Sequence, residues 1–278
     1  MLFERILVVI DGSQTSEFAI GASLTLSRED GSPITFCVTV DPELTTDAGL
    51  AAFGEMAVGR CRRLLDDALT RARAAGLSGA TGVVVTNDPV SGVVALAREQ
   101  GAGLIALGVA PRVGFLRPFM RNLAHGILRE TVVPLCVVRR PAVGKLSRKV
   151  LVPIVDDALS KVAIDYALTL ARNFTSTLYF CTLNDDSATQ AASQVLVDRA
   201  RTYAEENGVA AAAVLLPAQP GVSQPSTIAQ NAFLLGCDAI VMATHMREGF
   251  QWLVRGSVTD AVINSSNVPV VVVRAPIL

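Results

Sequence analysis

Short apolar runs alternate with amphipathic stretches along the whole chain. Residues 6–10 read ILVVI, the continuous β-branched run of a strand covered on both faces. The run stops at Asp11-Gly12-Ser13, a turn signal, and Ser13 and Ser16 are both candidate N-caps. Residues 16–28 then place Phe18, Ala19, Ala22 and Leu26 on one helical face. A second strand is predicted over 34–40. Residues 41–58 carry little pattern and read as a long connection, of the kind that serves function or packs on a partner. A helix over 59–75, a strand over 81–85 and a turn at Asn87-Asp88-Pro89 follow. Pro89 suits the first turn of a helix over 90–100. Strands over 104–107 and 135–138 complete the set, the last one introduced by Pro134. Strand–helix alternation of this kind predicts an α/β fold with a doubly wound parallel sheet and right-handed crossovers.

From Val150 the pattern starts again. Ser16-x-x-Ala19-Ile20-x-x-x-Leu24-Thr25-Leu26-x-Arg28 recurs as Ser160-x-x-Ala163-Ile164-x-x-x-Leu168-Thr169-Leu170-x-Arg172, and Phe36-Cys37 recurs as Phe180-Cys181, an offset of 144 positions. From the fourth strand onward the offset is 135, since Pro134 matches Pro269, so the second copy has lost nine residues net. The shorter connection after Leu183 is the expected place for that loss. The repeat divides the chain into a domain over 1–140, a Pro/Gly/Ser-containing basic linker over 141–149, and a domain over 150–278. Two copies of one domain in one chain imply a pseudo-twofold arrangement, the covalent version of an isologous dimer.

Composition narrows the function. Of the 278 residues, 51% are hydrophobic, 5% aromatic and 18% charged, which suits a well-buried core. No apolar run approaches the ~20 residues that cross a bilayer. The chain passes into its first strand without a signal-peptide pattern, so a cytoplasmic protein with no membrane partner is the expectation. A net charge of −1 argues against nucleic acid. The five cysteines (Cys37, Cys61, Cys136, Cys181 and Cys237) form no Cys-x-x-Cys pair and are expected reduced and buried, with no zinc site. The two histidines, His125 and His245, build no Ser-His-Asp or Cys-His pairing.

The opening ILVVIDGS, the Asp-Pro turn before the third helix, and the closing Val-Pro-x-x-Val-Val-Arg at Val133–Arg139 and Val268–Arg274 resemble the universal stress protein family in its tandem two-domain form. The resemblance covers essentially the whole chain, twice. It implies a Rossmann-like five-stranded parallel sheet in each domain, with the two last strands meeting to form a pseudo-dimer. It also implies a cytoplasmic stress-response role as a binding or regulatory module, an unidentified protein partner and room for a homodimer. ATP or AMP is the implied ligand, with slow hydrolysis at most; the residues themselves require no cofactor.

Nucleotide-binding members of the family share an Asp at the end of the first strand and a loop G-x-x-G, nine residues, G-[S/T]. Glycines let backbone N–H groups approach an anion, and the hydroxyl donates to phosphate. The first domain keeps Asp11 and Gly108, but has Pro111 for the second glycine and Arg121-Asn122 for the closing pair. The second domain has Val155 for the Asp, with Asp156 following, and Ala243 and Met246 for the glycines; it keeps Gly256-Ser257. Thr244 and His245 lie in its loop. The candidate ligand-binding residues are therefore Asp11, Gly108, Thr244, His245, Gly256 and Ser257. Each also has a structural reading: Asp11 as a turn residue, Ser257 as an N-cap, His245 as a loop residue with local hydrogen bonds. Arg112, Arg117 and Arg121 offer guanidinium groups to an anion, or to solvent and salt bridges.

Overall fold

The apolar runs become strands because nothing else buries them on both sides. The computed structural model describes residues 1–40, 51–110, 119–141, 148–155, 158–184, 190–218, 221–244 and 258–275. It divides into two compact units, Met1–Pro141 and Ala142–Leu278.

The first unit runs β1 (Ile6–Val9), α1 (Gln14–Asp30), β2 (Ile34–Thr39), α2 (Ala51–Ala74), β3 (Thr81–Val85), α3 (Pro89–Glu99), β4 (Leu104–Gly108), α4 (Phe119–Glu130) and β5 (Leu135–Val138). Its strands are parallel in the order β3-β2-β1-β4-β5. β1, β4 and β5 are buried along their whole length, and only β3, at the edge, shows exposed residues. The second unit runs β6 (Lys149–Pro153), α5 (Ala158–Phe174), β7 (Thr177–Asn184), α6 (Gln190–Glu206), β8 (Ala211–Pro217), α7 (Gln224–Leu234), β9 (Ala239–Thr244), α8 (Val258–Ser265) and β10 (Val270–Arg274). Its strands are parallel in the order β10-β9-β6-β7-β8. Both units therefore have the doubly wound parallel sheet that the alternation predicts.

One expectation is corrected and one refined. Helix α2 begins at Ala51, inside the stretch read as a connection. Ala51, Glu55, Met56 and Ala57 are strong helix formers, and Gly54 and Gly59 cost about 1 kcal/mol each without ending the helix. Residues 41–50, the rest of that connection, lie outside the described residues. The net loss of nine residues resolves into two changes. Thr81 pairs with Thr35 while Ala212 pairs with Tyr179, the counterpart of Thr35, so the offset at the third strand is 131. Thirteen residues are lost before β8 and four return before α7, where Asp88 and Ser223 hold equivalent N-cap positions.

Framing bonds between the strands recur in both copies. Ile10 N–H donates to the Cys37 carbonyl at 2.9 Å, and Ile154 N–H to the Cys181 carbonyl at 2.8 Å. One equivalent position differs in backbone cost. α1 ends on Gly31 at φ 77°, whereas the counterpart after α5 is Thr175 at φ 55°, a β-branched residue in the left-handed region. The anchors of the first strands differ too. Asp30 is 3% exposed at its side chain and faces the amino terminus at 3.6 Å. It accepts from Leu2 N–H at 2.6 Å, from Phe3 N–H at 3.2 Å and from the Ser32 hydroxyl. In the second unit Asp238 does this work, accepting from the amides of Arg148 at 2.9 Å and Lys149 at 2.8 Å.

All five cysteines are free and buried. Burial pushes the Cys37 and Cys136 thiols up to about 12 and also raises Cys181. These thiols behave as small hydrophobes, as the sequence suggests.

Candidate functional site

In each unit the strand order reverses between the first and fourth strands, β1 beside β4 and β6 beside β9. α/β sheets bind ligands outside the carboxyl ends of the strands at such a point. Two candidate residues, Asp11 and Gly108, meet this requirement together in the first unit, following or ending neighbouring strands.

Both are already used by the fold. One Asp11 carboxylate oxygen accepts from Ser13 N–H at 2.9 Å, closing the Asp-Gly-Ser turn, and Asp11 N–H donates to Ser16 Oγ at 3.3 Å. Ser13 Oγ accepts from Ser16 N–H at 3.2 Å and so caps α1. Gly108 abuts the first turn of α1. A Cβ there would lie 2.2 Å from the Thr15 carbonyl carbon and oxygen. This glycine is demanded by close packing of β4 on α1. Leu64 of α2 lies beside Gly12, where an added Cβ would be 2.8 Å from the Leu64 Cδ2.

The equivalent place in the second unit is open. A cavity of about 360 Å³ lies over the ends of β6, β7 and β9, against the first turns of α5, α7 and α8. Val155 stands where Asp11 stands, its N–H donating to Ser160 Oγ at 2.8 Å, as Asp11 N–H does to Ser16. Val155 is 57% exposed. Ala243 lines the cavity in the position of Gly108, so a Cβ is tolerated here. Thr244, the last residue of β9, is buried and its carbonyl accepts from Ala275 N–H at 3.2 Å. His245, Gly256 and Ser257 lie outside the described residues, as do Pro111, Arg112, Arg117, Asp156 and Met246. Gly256-Ser257 immediately precede Val258, the first residue of α8, which lines the cavity with Thr259.

Sequence reading missed Leu159, Leu183, Ile228 and Met242, which also form the wall. The repeat held the signal for two of them, since Leu159 and Leu183 replace Thr15 and Thr39. In the first unit Arg121, on α4, stands near Arg139. Burial lowers the Arg139 pKa, and the charges of Arg140 and Arg121 lower it further. Among the described residues no group of three His, Cys, Asp or Glu side chains is placed to hold a metal ion. No helix among them is long and apolar enough to cross a membrane.

The universal stress protein family model matches residues 2–139 and again 147–274. The chain belongs to the universal stress protein family. Its curated relative, the universal stress protein YxiE of Bacillus subtilis strain 168, is 24% identical over 149 residues, which is 50% of this chain and 100% of the relative. The chain thus carries two copies of what that relative carries once. A universal stress protein from Archaeoglobus fulgidus DSM 4304 shares the fold over 98% of both chains, with a TM-score of 0.75 at 18% identity. A protein of unknown function from Pseudomonas aeruginosa PAO1 aligns over 98% of this chain and 92% of its own, with a TM-score of 0.59 at 18% identity.

Proposed function

We propose that this universal stress protein is a cytoplasmic binding or regulatory module of the stress response, not an enzyme, in which neither domain binds ATP tightly. The observation that carries the reading is the apolar wall of the second-unit cavity, with Val155 half exposed where the nucleotide motif has its Asp. A triphosphate leaving water needs cations or clustered N–H donors in return. In the first unit the retained Gly108 is taken up by packing on Thr15, which supports the same reading. The five unpaired buried thiols fit a reducing compartment. Calorimetric titration of the full chain with ATP and magnesium is expected to give no micromolar isotherm, and a micromolar one would overturn the reading.

A second reading gives the second domain a nucleotide site with slow hydrolysis. It is favoured by the cavity lying at the switch point beside the first turn of α8, just after Gly256-Ser257. In that case Ser257→Ala combined with Gly256→Arg abolishes binding, and unchanged affinity counts against it.

A further inference from the structure

We infer that the cleft of the second unit holds an uncharged, largely apolar small molecule. The inference deepens the reading above and rests on it. The cavity, about 360 Å³, is of small-molecule size, and among the described residues no charged side chain lines it. A charged ligand would leave water with no counter-charge from this wall.

The internal repeat supplies an independent observation. Asp11, Thr15 and Thr39 of the first unit become Val155, Leu159 and Leu183 in the second, and all three replacements line the cavity. Three changes run the other way: Val38 becomes Thr182, Pro89 becomes Gln224 and Ala124 becomes Thr259, all also in the wall. Three polar side chains have been replaced by apolar ones, and two hydroxyls and one amide placed among apolar side chains. That pattern suits an apolar body with one or two hydrogen-bonding atoms. Covering the exposed Val155 adds a hydrophobic gain that an empty cleft forgoes.

Fluorescence titration of the full chain with the neutral dye N-phenyl-1-naphthylamine tests this. The expected result is saturable binding at one site per chain, undisturbed by magnesium-ATP. Val155→Asp, an exposed position that leaves the fold intact, weakens it about tenfold or more. The double variant Leu159→Thr/Leu183→Thr, which restores the first unit's residues, weakens it likewise with an unchanged far-ultraviolet spectrum. Absence of a saturable signal, or variants that bind the dye as tightly as the unmutated chain, overturns the inference and leaves weak ATP binding standing. Displacement of the dye by magnesium-ATP overturns both, and the calorimetric titration without dye identifies that case separately.

Discussion

The two strand-end regions share their framing hydrogen bonds and differ in the side chains set on them. In the first unit β4 closes onto α1 through Gly108, and Leu64 lies beside the exposed Gly12. In the second, Ala243 and Val155 face a cavity. The hydrogen bonds that set the frame are conserved between the copies, Asp11 to Ser16 and Val155 to Ser160. The frame is therefore separable from what it encloses. A gap at the switch point follows from side chains that arrive from other elements.

The largest test of this difference is at Gly108. Gly108→Ala drives a Cβ into the Thr15 backbone and is expected to cost about 3 kcal/mol, with urea unfolding as the measurement. The mirror change Ala243→Gly costs about 1 kcal/mol, from backbone entropy alone. Equal losses would remove the contrast between the regions.

The strand anchors come next. Burial works against the Asp30 charge, but the Ser32 hydroxyl, the Leu2 and Phe3 amides and the amino terminus outweigh it, and its pKa is lowered. A lowered carboxyl stabilises the fold above its unfolded value, and that stability is lost as pH falls through the folded value. Asp30→Asn is expected to cost about 2 kcal/mol at neutral pH. It should also flatten the acid limb of the stability curve below the ordinary carboxylate range. Equilibrium unfolding from neutral to acid pH reads both, and an unchanged acid limb would remove Asp30 as the anchor.

A smaller effect of opposite sign is expected at Thr175. Thr175→Gly restores the residue found at Gly31 and should stabilise by about 1 kcal/mol, seen as a higher denaturant midpoint with unchanged slope. The smallest contrast is in helix caps. Asp88 accepts from Ser91 N–H at 2.9 Å, while Ser223 makes no capping bond with its side chain. Asp88→Ala should cost about 1 kcal/mol and Ser223→Ala close to nothing, by the same unfolding assay.

The fold was legible because each strand is a local apolar run and each copy checks the other. The doubly wound order followed from alternation alone. The start of α2 was not legible, since Ala51–Val58 lacks an apolar periodicity and is helical through propensity. The site was read less well for a physical reason. Gly108 looks like a phosphate glycine, but its neighbour is Thr15, 93 positions away in the chain, and only packing reveals that. The cavity wall is assembled from strand ends and three helices, so no local pattern announces it. Comparing the copies position by position, rather than each with a motif, would have exposed Leu159 and Leu183.

The buried thiols make the chain its own reporter of opening. Cys37, Cys61 and Cys136 lie in the first unit and Cys181 and Cys237 in the second, all shielded and with raised pKa values. An alkylating reagent can mark them only when their surroundings unfold. Counting labelled cysteines per domain against time, by mass, therefore separates the opening rate of one copy from that of the other without any engineered label.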